Sequence, residues 1–140
     1  MIEKINWEMC KEQNFAKRVQ PDLNQINSIL ESAANREKTA NLLPFNDTTK
    51  ETVISLAYDV LRELLEALAL KKGYKIYNHE CFSCFLHSIM KEESLSLEFD
   101  SLRMLRNSIN YYGKKLPLED AKISLVKLNN LISDIKKLLN

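Results

Sequence analysis

The stretch TTKETVISLAYDVLRELLEALALKKG, residues 48–73, decides the fold. Ile54, Ala57, Leu61, Leu64 and Leu68 recur at alternating spacings of three and four, the period of one helix face. Val53, Val60 and Leu65 widen that stripe, as expected of a helix at the centre of a bundle. Thr48 and Glu51 have the spacing of a capping box, in which each side chain satisfies a free backbone N–H of the first turn. At the other end Lys71 and Lys72 complement the helix dipole, and Gly73 can take the left-handed closing conformation.

The segments around it follow the same period. QPDLNQINSILESAANREKTANLL predicts a helix starting near Pro21, where a missing N–H costs nothing, with Leu23, Ile26, Ile29, Leu30 and Ala33 inward. Pro44 interrupts it. A shorter helix follows Gly73, with Asn78 as its cap and Phe82, Phe85, Leu86 and Ile89 inward. The next carries Leu95, Phe99, Leu102, Leu105, Ile109 and Tyr112, ending at Gly113 before Pro117. The last, about 117–139, carries Leu118, Ala121, Leu125, Leu128, Ile132, Ile135 and Leu139. Residues 1–20, with scattered Ile2, Ile5, Trp7, Phe15 and Val19, read as a short helix or arm that docks Trp7 on the body. No strand-like alternation or internal repeat is visible. The expected fold is all-α: an antiparallel up-and-down four-helix bundle with an additional N-terminal helix or arm. It divides into residues 1–46, packing on the bundle, and a helical core of residues 47–140, within one structural domain.

Composition narrows the function classes. With 140 residues the chain suits one domain with a core of its own. A net charge of +1 gives no bulk electrostatic case for nucleic acid or membrane, although a local basic patch remains open. Only 2 glycines and 3 prolines leave room for long uninterrupted helices. No apolar run approaches the ~18 residues of a membrane span, and the start has no apolar signal core. A cytoplasmic protein is expected, with its 3 cysteines as thiols in a reducing compartment.

Two clusters hold chemistry-bearing residues. His79, Cys81, Cys84 and His87 have the types and number of a zinc site. On one helix, however, positions 81, 84 and 87 precess by roughly 60° per step and cannot wrap an ion. Small, partly buried cysteines are the simpler reading, and no metal ligand or cofactor is assigned. The second cluster is LRMLRNSINYYGKKLP, residues 102–117. Arg103, Arg106, Asn107 and Asn110 share a sector about 100° wide beside the apolar face. Guanidinium and carboxamide groups grip phosphates and read base edges, and the adjacent Tyr111 and Tyr112 can stack on bases. A purely structural reading competes: arginine stems cover apolar surface and the head pairs with an acid, Asp100 for Arg103, and Glu63 or Glu66 from the central helix.

The stretch EFDSLRMLRNSINYYG, residues 98–113, resembles the signature helix of HEPN-domain proteins, and LAYDVLRELLEALALKKGYKIYNHE, residues 56–80, resembles the helix and turn before it. The resemblance covers about residues 47–139; INWEMCKEQNF and QPDL look like the extension of some archaeal members. It implies a homodimeric four-helix bundle. Many members are metal-independent RNases, several of them toxins of toxin–antitoxin pairs, using an arginine followed four to six residues later by histidine. Others bind nucleotides or pair with a small nucleotidyltransferase-type protein. By position Arg106 is the family arginine and Asn107 the polar residue after it. Tyr111, Tyr112 and Gly113 occupy the places where the histidine falls. Histidine exchanges protons near neutral pH, whereas a phenol with pKa ≈ 10 is a poor base. The expected function is therefore RNA or nucleotide binding by Arg103, Arg106, Asn107, Asn110, Tyr111 and Tyr112 of a homodimer, with no catalytic residue assigned and little or no cleavage. An RNase using Tyr111, or a non-enzymatic protein-interaction module docking through 118–139 and the basic and polar edge of 103–110, are the alternatives.

Overall fold

In a computed structural model describing residues 4–140, the segment 48–73 forms the axis around which the other helices assemble. Ile2 of the N-terminal pattern lies outside the described residues. The elements in chain order are α1 (Trp7–Glu12), β1 (Ala16–Arg18), α2 (Leu23–Leu42), α3 (Lys50–Lys71), β2 (Tyr74–Ile76), α4 (Glu80–Ser88), α5 (Glu93–Tyr112) and α6 (Leu118–Leu139). The protein is an all-α helical bundle with one small two-stranded sheet. No described helix is long and apolar enough to cross a membrane.

More than half of the 22 residues of α3 are buried, including every position of the stripe read from the sequence. Contacts give the helix directions. Arg36 of α2 pairs with Glu63, while Ile26 packs on Ala67 and Leu70, so α2 runs against α3. Asn110 and Arg106 of α5 meet Ser55 and Asp59, so α5 also runs against α3. Glu51 accepts from the backbone of Leu116 and Lys71 donates to that of Leu139, so α6 runs parallel to α3. The four long helices α2, α3, α5 and α6 thus alternate in direction along the chain. The hairpin of α4 and α5 is pinned by two buried serines: Ser83 Oγ donates to Ser96 O (3.1 Å) and Ser96 Oγ to Ser83 O (2.8 Å). Each buried hydroxyl is thereby satisfied.

Trp7 docks as expected, 5% exposed, its ring edge-on to Tyr74 at 5.1 Å. The same apolar cluster contains Trp7, Ala33, Leu68, Phe99 and Ile135, so the N-terminal segments share a core with the later helices. Gly73 and Gly113 have φ of +88° and +64°: the left-handed conformation expected of Gly73, and the same conformation at the helix end expected at Gly113.

Several local expectations are corrected. Thr48 and Glu51 form no capping box. Asn46 Oδ1 accepts from the N–H groups of Thr48 and Thr49, and the Thr49 hydroxyl donates to the Pro44 carbonyl. This side-chain turn serves those amides first, and α3 starts only at Lys50. The cap of α2 is Asp22, whose carboxylate accepts from Asn24 and Gln25, with Pro21 just outside. Leu23 and Tyr112 do not join their stripes: they are 67% and 82% exposed, at the first residue of α2 and the last of α5. A strand pair was also not expected. Three residues on each side are too few to show alternation, and the pairing Ala16↔Ile76, Lys17↔Lys75, Arg18↔Tyr74 is a long-range event. Finally, Cys10 and Cys81 are not thiols but a disulfide joining α1 to α4. The cysteine count therefore no longer argues for a reducing compartment.

Candidate functional site

Arg106 is the centre of the site. The amphipathic pattern of α5 buries Phe99, Leu102 and Ile109 and sets Arg106 at the edge of that face, against α3. Its guanidinium is held on three sides. One nitrogen lies 3.5 Å from Asp59 Oδ1, another donates to the Tyr111 hydroxyl (3.3 Å), and the group covers the Tyr58 ring at 5.2 Å. It also lies 5.7 Å from the centre of the Tyr111 ring, so two aromatic faces contact the cation. Its Nε is buried and has no hydrogen-bond partner among the described residues.

The other α5 candidates fall around it. Arg103 donates twice to Asp100 Oδ1, at 3.1 and 2.9 Å, the pairing expected from the sequence, and lies 3.8 Å from Glu80. Asn110 accepts from Ser55 Oγ at 2.8 Å, over a shallow cleft of about 290 Å³ between α3 and α5. Asn107 is half-buried on the same sector. Tyr111 and Tyr112 are 69% and 82% exposed at the end of the helix. The expectation that Glu63 or Glu66 would serve these arginines is corrected: Glu63 pairs with Arg36 at 2.6 Å, and Glu66 with Lys75 at 2.5 Å and Arg62 at 3.3 Å.

Three contributors were not read from the sequence: Tyr58, Asp59 and His79. Tyr58 is fully buried, stacked with Phe99 at 5.9 Å, and its hydroxyl shares a 3.3 Å hydrogen bond with His79 Nδ1. Burial pushes the Tyr58 phenol up to about 12, against the pull of Arg106, Arg103 and Arg62. Burial, followed by Arg62 and Arg106, holds His79 below the ordinary imidazole range. At neutral pH the pair is an uncharged phenol and an uncharged imidazole beneath a guanidinium. A signal for this side of the site did exist. Ser55, Asp59, Arg62 and Glu66 recur at spacings of four, three and four on α3, a polar line on an otherwise apolar helix.

The cysteine and histidine cluster is dispersed. Cys81 is bonded to Cys10, Cys84 is buried with its thiol 3.5 Å from the Ile5 carbonyl, and His87 is exposed. Burial raises the Cys84 thiol above its ordinary range, with Glu80 and Asp100 adding to the effect, which makes it unreactive as a nucleophile. A cleft of about 370 Å³ between α2, α3 and α6, walled by Leu30, Val60, Leu64 and Leu139, contains none of the candidate residues.

Comparison with protein-family models, curated proteins and solved structures finds no match to this chain.

Proposed function

We propose that the protein is a HEPN-like homodimer that binds RNA or a nucleotide through the Arg106 face, with little or no nuclease activity. The observation that carries this reading is the stacking arrangement: Arg106 between the buried Tyr58 and the exposed Tyr111, with Tyr112 exposed beside it. Exposed aromatic faces next to a planar cation suit unpaired bases, and Asn107 and Asn110 supply groups for base edges on the same sector. Because Asp59 already neutralises Arg106, a phosphate there must compete with a carboxylate. The reading therefore assigns base stacking to this face as much as phosphate contact.

The dimer is supported by an apolar line on the outer side of α5. Leu97 and Met104, seven residues apart, are 59% and 57% exposed. Such a line can pack on its own copy about a two-fold axis, bringing two Arg106 faces close together.

The test is fluorescence anisotropy with a labelled single-stranded RNA, with sedimentation on the same samples. Arg106→Ala and Tyr111→Ala should each weaken binding roughly ten-fold with unchanged circular dichroism. Leu97→Glu with Met104→Glu should give monomers. Equal RNA binding by wild type and Arg106→Ala across several salt concentrations would remove the binding reading.

One observation favours a nuclease as the second reading: His79, from a different element, brings an imidazole onto Tyr58 beneath Arg106. That reading requires RNA cleavage in the presence of a chelator, abolished by His79→Ala.

A further inference from the structure

The two-stranded ribbon carries a second group of cations and an exposed aromatic ring. Lys17 and Lys75 are cross-strand partners, and both reach the ring of Tyr77, at 5.8 and 5.9 Å from its centre. Tyr77 is 59% exposed, and its backbone N–H donates to the Phe15 carbonyl, continuing the ribbon by one pair. Like charges directly opposite one another destabilise a strand pair. Here the charge is only partly offset. Lys75 shares the Glu66 carboxylate with Arg62, and Lys17 has no ion-pair partner among the described residues. Two cations therefore share one carboxylate, and Lys17 adds a third charge beside them. At the Arg106 end, by contrast, each arginine already faces an acid.

The two ends are joined. The polar line of α3 runs from Ser55, bonded to Asn110, through Asp59, at Arg106, and Arg62 to Glu66, at Lys75. From Ser55 to Glu66 that line is roughly 16 Å long at helical rise, more than one nucleotide covers. A track with an exposed tyrosine at each end and surplus positive charge at one end has the layout of a single-strand binding groove, in which bases stack on rings and cations follow the backbone.

We infer that Tyr77, Lys17 and Lys75 form a second anchor for single-stranded nucleic acid, and that the ligand is an extended strand lying along α3 from Tyr111 to Tyr77 rather than a mononucleotide. The Arg106 end of this track rests on the binding function proposed above; the ribbon anchor has its own observations.

The experiment titrates the full-length protein into fluorescein-labelled single-stranded octauridylate, with uridine monophosphate as the short ligand. Tyr77→Ala should weaken octamer binding roughly ten-fold. Lys17→Ala should reduce the slope of log affinity against log salt by about 0.7, one phosphate contact on a single strand. Neither change should alter monophosphate binding. If both variants bind the octamer like wild type while Arg106→Ala weakens it, the second anchor is overturned and the Arg106 reading survives. If Tyr77→Ala weakens binding and Arg106→Ala does not, the anchor stands and the Arg106 reading fails. No octamer binding by wild type overturns both. Displacement of the octamer by polyglutamate as readily as by unlabelled octauridylate would overturn the assignment to nucleic acid.

Discussion

Breaking the Cys10–Cys81 bond should be the most damaging two-atom change in the molecule. The bond closes a loop between residues 71 apart in sequence, and it fastens α1, which has only six residues and little helix of its own to stand on. In the chain-entropy account, a cross-link over that separation removes about 4 kcal/mol of freedom from the unfolded chain at 25 °C. Spread over an unfolding entropy of about 2.1 cal/mol/K per residue, this is roughly 15 °C in melting temperature for 140 residues. Both cysteines are 0% exposed, so a reductant cannot reach the bond in the folded protein. The assay is therefore urea and thermal unfolding of Cys10→Ala/Cys81→Ala beside wild type refolded from denaturant with and without a phosphine. The two routes leave different groups in the core, methyls or thiols, and share only the lost cross-link. Both should lose several kcal/mol, and the fluorescence of Trp7, which packs within α1's contact with Phe85, should report the loosening first. Reduced and oxidised proteins with the same urea midpoint would refute the reasoning, because the bond would then constrain nothing that the core does not already hold.

Further outcomes follow from the site and the helix ends. Tyr58 has its phenol raised from 10 to about 12, so its contribution to stability is complete below pH 10 and is lost as pH rises toward 12. A rise from 10 to about 12 is worth about 3 kcal/mol, and Tyr58→Phe should flatten that part of the stability profile in alkaline unfolding measurements. His79 has the opposite dependence. Its folded value lies below the ordinary imidazole 6.5, so stability is complete above that pH and falls as pH drops through the window beneath it; His79→Gln should remove this acid-side slope in urea midpoints measured between pH 7 and 5. Gly73→Ala should destabilise by about 1 kcal/mol or more, since φ of +88° is unfavourable for a side chain and the new Cβ would stand 3.4 Å from the Val19 carbonyl.

The helices were legible because their causes are local. The three-four spacing of Ile54, Ala57, Leu61, Leu64 and Leu68 needs no partner to be seen, and each of these residues is buried. The helix ends at Gly73 and Gly113 were legible for the same reason, since a closing glycine is a property of the chain at that point. The Arg103–Asp100 pair lies three apart on one helix and was equally readable. What failed was local information with a competitor. The spacing of Thr48 and Glu51 permits a capping box, but Asn46 takes the Thr48 amide from two residues earlier, and Glu51 turns to the backbone of Leu116.

The rest was decided only when distant segments met. Cys10 and Cys81 carry no mark of pairing, since any two of three cysteines could bond until α1 is laid on α4. Arg106 was identified from its own helix, yet its acid, Asp59, and its aromatic seat, Tyr58, come from α3, and His79 arrives from the segment between β2 and α4. The ribbon that places Lys17 opposite Lys75 joins residues nearly sixty apart in three-residue strands too short for a period to show. Periodicity along one chain segment thus determined which residues turn inward, because burial of an apolar face depends only on the helix repeat. Which polar residues share a site depended on the packing of α3 against α5 and the ribbon, because a hydrogen bond or ion pair forms between groups a few ångströms apart, whatever their separation in sequence.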